Sequence, residues 1–273
     1  MTFITIKWPA PLLVLLFLFL PILLIVIYAF DPATLESWPI QGFTLHWFSV
    51  AWHDDSARSA FLLSVKVGLL ATGIALVLGS AVAYALSQFK FFGRDAISFL
   101  LILPIALPGI VTGLALNSFF TFTSIQLSLW TIVIGHGTFC IVMVFNNVIA
   151  RLRRTPGSLA EASMDLGARG WQTQLYVMLP TVATALVSGA LLAFALSFDE
   201  VVVTVFTSGA QNTLPIWIFG QLRLGQRLPE VNAVVSIVIA ATIIPVLLAA
   251  RIAGAGAGSR TARAAATADT GRI

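Results

Sequence analysis

Residues 8 to 30 carry no charged side chain and consist mostly of Leu, Ile, Val, Phe and Ala. About 20 consecutive apolar residues are what an α-helix needs to cross a bilayer, so a run of this length belongs in lipid. Five further runs follow at residues 61–86, 97–116, 128–149, 181–206 and 231–252, and the charges inside them are confined to Lys66, Asp199, Glu200 and the terminal Arg251. With 59% of residues apolar and 10% charged, against about 45–50% and about 25% in ordinary soluble domains, a water-soluble fold is excluded. The expected fold is all-α, a polytopic membrane protein of six transmembrane helices, the first spanning residues 9–29. Its apolar run exceeds the roughly 7–15 residues of a secretion signal, and no small-residue cleavage site precedes Asp31, so it is expected to be retained.

Charge distribution gives the orientation. An inner N-terminus puts Lys7, Lys90, Arg94, Arg151, Arg153, Arg154, Arg169 and the C-terminal arginines on the cytoplasmic side, and leaves only Arg58, Arg223 and Arg227 outside. That is the asymmetry of the positive-inside rule, and it places both termini in the cytoplasm. The net charge of +4 is accounted for by orientation, so no nucleic-acid partner is expected. Residues 214–222 are apolar but too short to span, which suits an interfacial or re-entrant helix. Residues 1–252 form the expected membrane domain; 253–273, rich in Gly, Ala, Thr and Arg, form an expected disordered cytoplasmic tail. A single cysteine, Cys140, rules out an intrachain disulfide framework or a cysteine-rich metal site. Gly68, Gly73 and Gly79, and the small-xxx-small pair Gly109 and Gly113, have the spacing of close helix contacts in lipid.

The segment from Arg151 to Pro180 is long for a connection between spans, and loops of such length usually have a function. Ser158-x-x-Glu161 has the pattern of a capping box, which predicts a helix starting at Leu159. Leu159, Ala162, Ser163 and Leu166 then share one face, and Gly167 is placed to end the helix in a left-handed conformation. A second helix is predicted from about Trp171 to Leu179, stopped by Pro180.

Glu161-Ala162-Ser163, followed by Gly167 and by Val177-x-Leu179-Pro180, resembles the EAA loop of the inner-membrane permeases of ATP-binding-cassette importers, with Ser in the third position and Val in place of Ile. The resemblance extends to Ser64 through Ala83, to Phe91-Phe92-Gly93-Arg94 and to Pro104 through Leu116. Ser197-Phe198-Asp199-Glu200, Thr213-Leu214-Pro215 and Pro229-Glu230-Val231-Asn232-Ala233 resemble the second permease of spermidine/putrescine-type importers. This resemblance implies a coupling helix, with Glu161, Ala162, Ser163, Asp165, Leu166, Gly167 and Ala168 docking on a cytoplasmic ATPase dimer. It also implies a second permease subunit and a periplasmic solute-binding protein, in addition to the surrounding membrane lipid.

The energy source must lie elsewhere. A phosphate-cradling loop ends in Gly-Lys followed by Ser or Thr, and neither Lys7, Lys66 nor Lys90 follows a glycine. This chain is therefore expected to bind no cofactor and to be no enzyme, with ATP and Mg held by the partner ATPase.

Acids inside a span are candidates for function by default. If the fifth span ends near Phe206, Asp199 and Lys66 lie at similar depth, roughly 10 Å and roughly 8 Å from the outer boundary. One of Asp199 and Glu200 then neutralises Lys66, and the other faces a water-filled path. There, with the aromatic rings of Phe198 and Trp217, it would attract an organic cation. The alternative is a structural ion pair with one acid reaching the outer interface. His136, beside Gly135 and Gly137, is expected to bond neighbouring helices and bind no metal. His53, Asp54 and Asp55 are expected to be solvated, or to form an acidic rim with Asp31 and Glu36. The reading that results is a permease for a polyamine-like cation. Its rivals are a permease for an amino-acid derivative, a phosphonate or a metal complex, and a secondary transporter that uses Asp199 or Glu200 as its coupling carboxylate.

Overall fold

The computed structural model describes residues 9–225 and 227–243. Every element assigned among them is helical: α1 (Pro9–Tyr28), α2 (His46–His53), α3 (Asp55–Gln88), α4 (Arg94–Ala106), α5 (Gly109–Phe122), α6 (Leu129–Leu152), α7 (Ser158–Asp165), α8 (Gly170–Thr173), α9 (Leu179–Asp199), α10 (Val202–Thr207), α11 (Leu214–Leu224) and α12 (Leu228–Ile243). Four helical stretches are long and apolar enough to cross a membrane: 11–28, Asp55–Gln88, Leu129–Leu152 and Gly170–Asp199. The pair α4 and α5 makes a fifth if it is counted as one bent span. The sixth run is seen as α12; the rest of 231–252, with Pro245, and the tail at 253–273 lie outside the described residues.

The described residues fall into two compact units, one holding residues up to Arg58 together with those from Ile218 onward, the other Ser59–Trp217. In the first unit, α1 exposes every side chain from Pro11 to Leu24, as expected of a helix that is apolar on all sides and sits in hydrocarbon. The chain after it folds back on itself. Thr44 N–H donates to the Phe30 carbonyl at 2.7 Å, Trp47 Nε1 donates to the Asp31 carbonyl at 2.9 Å, and buried Asp31 accepts from the Ala33 and Gln41 amides. Asp54 caps α3 by accepting from the Ser56 and Ala57 amides, and Glu36 accepts from Asn232 Nδ2 at 2.7 Å. Of the acids expected to be solvated or to form a rim, Asp31, Asp54 and Glu36 are engaged by backbone or side-chain donors, while Asp55 is exposed and pairs with Arg58.

In the second unit α6 is the central helix. It presents Phe139, Cys140, Val144, Phe145, Val148, Ile149 and Leu152 to a core completed by α3 and α9. Small residues set its spacing: a Cβ on Gly79 would lie 2.8 Å from the Ile141 carbonyl oxygen, and one on Gly189 would lie 3.2 Å from the Val144 Cα. Backbones this close gain dispersion contacts that lipid-facing surfaces lack.

Three expected elements differ in form. The third run is broken, α4 and α5 meeting at 104°. Pro108 removes a helical donor and biases the preceding residue toward extended backbone, and Leu107 duly has ψ 143°. The fifth run is helical only to Asp199; Glu200 has ψ 119° and the chain resumes as α10. Pro180 does not stop a helix. It enters α9 in its first turn, after a π-helical turn over Gln174–Met178, whose wider register relieves the clash a proline ring makes with the carbonyl four residues earlier.

Candidate functional site

Two regions carry the residues singled out by sequence. The first is the connection from α6 to α9. Gly157, not Ser158, is the cap residue of α7, and Ser158 sits in its first turn with no side-chain cap bond, so the expected capping box is absent. Glu161 is exposed and makes no side-chain bond among the described residues. The other end is as expected: Gly167 has φ +89°, its N–H donates to the Met164 carbonyl at 2.9 Å, and the Ala168 N–H donates to the Ser163 carbonyl at 3.1 Å. These are the two bonds of a Schellman motif, which closes a helix where its last carbonyls lack partners.

The reversal brings α7 against α8, where Ser163 Oγ and Thr173 Oγ1 lie 3.1 Å apart. Gln174 Nε2 donates to the Tyr84 hydroxyl of α3, tying the π turn to the bundle. Leu159, Ala162, Met164, Asp165 and Leu166 are left exposed, Leu166 at 89%. A short, rigidly terminated helix thus offers apolar and acidic side chains to whatever lies beyond the loop. Thr173, Gln174 and Tyr84 escaped the sequence reading; the hydroxyl of a tyrosine near the end of an otherwise apolar run is the signal that would have found them.

The second region is the break after α9. Asp199 is exposed, and among the described residues it makes no hydrogen bond or ion pair. Glu200 turns inward: its Oε1 accepts from the Val203 amide at 2.9 Å, capping α10. Two acids adjacent in sequence therefore have separate roles. The expected ion pair with Lys66 does not form, since Lys66 is exposed and bonds to neither acid; the helix break turns Glu200 away to a backbone amide. Phe198 packs edge-on against Phe61, ring centroids 6.1 Å apart, and against Phe194 at 5.9 Å. Trp217 is buried, 5% exposed, so its ring face is not offered beside the acids as expected.

His136 spans the break. Its Nδ1 is 2.7 Å from Ser197 Oγ in α9 and its Nε2 2.9 Å from Thr204 Oγ1 in α10. Thr204 Oγ1 already donates to the Glu200 carbonyl at 2.7 Å. It therefore accepts from His136 Nε2–H, and Ser197 donates to Nδ1, an arrangement that uses each partner once. Thr131 Oγ1 to the Thr207 carbonyl and Asn117 Nδ2 to the Phe206 carbonyl, both 2.7 Å, hold the other end of α10. His136 is the helix-bonding residue the sequence indicates, and among the described residues no cluster suits a metal. Thr204 was missed and Ser197 was noted only as part of the family resemblance, although hydroxyls on either side of two acids in an apolar run mark the place.

Residues 75–256 match the family model described as binding-protein-dependent transport system inner membrane component. The chain belongs to that family. Among its relatives, the putrescine transport system permease protein PotI of Escherichia coli (strain K12) is 34% identical over 234 residues, covering 82% of each chain. The spermidine/putrescine transport system permease protein PotC of Haemophilus influenzae is 33% identical over 85% of this chain and 90% of its own. The fold is similar to that in the crystal structure of a bacterial ABC transporter that imports the acidic polysaccharide alginate, with a TM-score of 0.65 at 18% identity, covering 88% of this chain and 93% of that one. As a member of this family the chain is an importer permease, a multi-pass inner-membrane component that works with a binding protein, and not an enzyme.

Proposed function

We propose that this chain is one of two permease subunits that carry a polyamine-like cation into the bacterial cytoplasm. Support for the cation comes from the permeases named for putrescine and spermidine, 33–34% identical over most of the chain. Asp199, exposed and without a partner among the described residues at a helix break, is the one observation within the chain that carries this reading. An unpaired carboxylate in an apolar run is costly unless it meets water or a cation.

In this reading six spans leave both termini in the cytoplasm, where Glu161, Ala162, Ser163, Asp165, Leu166, Gly167 and Ala168 dock on an ATPase dimer that holds ATP and Mg. Nucleotide-driven closure of that dimer moves α7, and the bonds from Ser163 and Gln174 pass the movement to α8 and α3. A periplasmic binding protein delivers the solute to the outer ends of the spans. Asp199 then receives the cation beside the Phe198 ring, while Glu200 keeps α10 capped.

The test is uptake by the full assembly in proteoliposomes with ATP trapped inside and binding protein outside. ATP-dependent uptake of putrescine or spermidine, absent for neutral and anionic solutes and reduced at least several-fold by Asp199→Asn, is the expected result. Uptake that follows an ion gradient without ATP, or an Asp199→Asn variant with unchanged uptake, would overturn it.

A further inference from the structure

The groove between α6 and α9 near the α7 connection is a polar stretch of this helix pair, distinct from the His136–Ser197 contact toward its other end. It encloses about 480 Å³ and is lined by Asn146, Asn147, Arg151, Arg154, Thr184 and Ser188. Asn146, Thr184, Ser188 and Arg154 are exposed. Asn146 lies six residues before the end of α6 and Ser188 nine after the start of α9, roughly 9 Å and 13 Å within their helices. Amides and hydroxyls at that depth are unfavourable against acyl chains, so the groove faces water or protein.

Its position on α9 says which. Thr184, Ser188, Ala195 and Asp199 follow at intervals of four, seven and four residues, which keeps them on one helical face, and all four are exposed, as are Leu191 and Leu192 between Ser188 and Ala195. The groove is thus the continuation, roughly 22 Å along the helix, of the surface that presents Asp199. The charges reverse along the way. A free carboxylate stands at one end; the groove at the other has no acid in its lining and ends at two guanidinium groups. Arg151 is partly engaged, its Nε donating to the Thr181 carbonyl at 3.0 Å, whereas Arg154 makes no side-chain bond among the described residues and is free to set the local potential.

We propose that this groove is the release half of the translocation path, and that Arg154, assisted by Arg151, keeps its affinity for a cationic solute low so that a released cation does not rebind from the cytoplasm. This rests on the cation-import reading above. Amide and hydroxyl oxygens give a passing ammonium group neutral acceptors, while the positive potential lowers its equilibrium occupancy. One unit charge at about 8 Å in a medium of intermediate dielectric constant changes that occupancy roughly fivefold.

The test uses the full assembly in proteoliposomes, measuring ATP-driven uptake of labelled putrescine against increasing unlabelled putrescine in the lumen. The wild type is expected to resist lumenal putrescine, Arg154→Gln to be inhibited at roughly fivefold lower lumenal concentration, and Arg154→Lys to match the wild type. Identical sensitivity of Arg154→Gln and wild type overturns the proposal. So does a variant whose defect follows the content of phosphatidylglycerol in the vesicles and not lumenal putrescine, which would make the groove a lipid site. A second arm is independent of the substrate: Ser188→Cys in inside-out membrane vesicles should react with a membrane-impermeant thiol reagent, with the unmodified chain, whose Cys140 is buried, as control. An unreactive Cys at 188 overturns the groove assignment. If the wild type takes up no putrescine while the cysteine reacts, the substrate reading has failed and the water-filled path stands.

Discussion

His136 Nε2 and Thr204 Oγ1 lie 2.9 Å apart, across a break that separates α10 from the long helix α9. Since Nδ1 of the same ring meets Ser197 on the other side of the break, one imidazole fixes the position of both helix ends and of the acids between them. Replacing His136 with Leu leaves the buried Ser197 hydroxyl without that partner, while Thr204 keeps its bond to the Glu200 carbonyl, and an unsatisfied buried group costs about 1–3 kcal/mol. His136→Leu is expected to lower the unfolding midpoint of the purified permease and to reduce uptake, because Asp199 loses its fixed position; His136→Gln should recover part of both. A midpoint and an uptake rate equal to wild type for the leucine variant would show that the break is held without the ring.

The turn at Gly167 gives a sharper test, because a Cβ there meets no neighbouring atom within 4 Å. Any effect of substitution is then conformational. A side chain in the left-handed region costs about 1–2 kcal/mol, less for Asn. Gly167→Leu should weaken association of the ATPase by up to about thirtyfold, with Gly167→Asn in between, as measured by titrating the purified ATPase against detergent-solubilised permease. Equal affinities for all three would mean that the turn adapts or that the loop is not the docking element.

Much of this was legible in the sequence, for identifiable reasons. Apolar runs marked the four span-length helices and the bent pair because hydrocarbon admits little else, and Gly167 was legible because a left-handed helix end has few residues to choose from. Pro108 marks a bend in the third run but not its size, since a proline inside an apolar run signals a kink without its angle. The break at Glu200 was not legible: it depends on a carboxylate turning back to the Val203 amide and on hydroxyl partners of His136 that lie 61 and 68 residues away. Pro180 was read as a stop because an α-helical register was assumed before it, and the π turn changes that register. Trp217 and Lys66 misled because depth along a helix says nothing about which way it is rotated.

Glu161 was open to two roles, one as cap and one as contact. With Gly157 in the cap position and no cap bond from Ser158, its carboxylate has no structural duty within the described residues. Glu161→Gln is therefore expected to leave the unfolding free energy unchanged to within about 0.5 kcal/mol, while lowering the ATPase stimulation produced by loaded binding protein. A variant that loses stability and keeps full stimulation would return Glu161 to a purely structural role.

The N-terminal end of α12 supplies a prediction in pH. Arg227 reaches both Asp54 at 3.4 Å and Glu230 at 3.5 Å, so two carboxyl groups share one guanidinium. Burial, then the hydrogen bond and negative charge of Asp54, push Glu230 up from 4.5 to about 7 against the pull of Arg227. Burial acts on Asp54 in the same direction, but bonds from Ser56, Glu230 and the Ala57 and Ser56 amides outweigh it and hold Asp54 below its usual value. Between pH 4.5 and about 7 the unfolded chain has released the Glu230 proton and the folded chain has kept it. The folded state thus binds more protons, and stability falls as pH rises through that window, levelling off above it. The Asp54 contribution has the opposite sign and is confined to pH below the ordinary aspartate value. Glu230→Gln keeps a donor toward Asp54 at every pH, so its unfolding midpoint should stay flat where that of the wild type declines. Parallel declines in the two proteins would place the titrating group elsewhere.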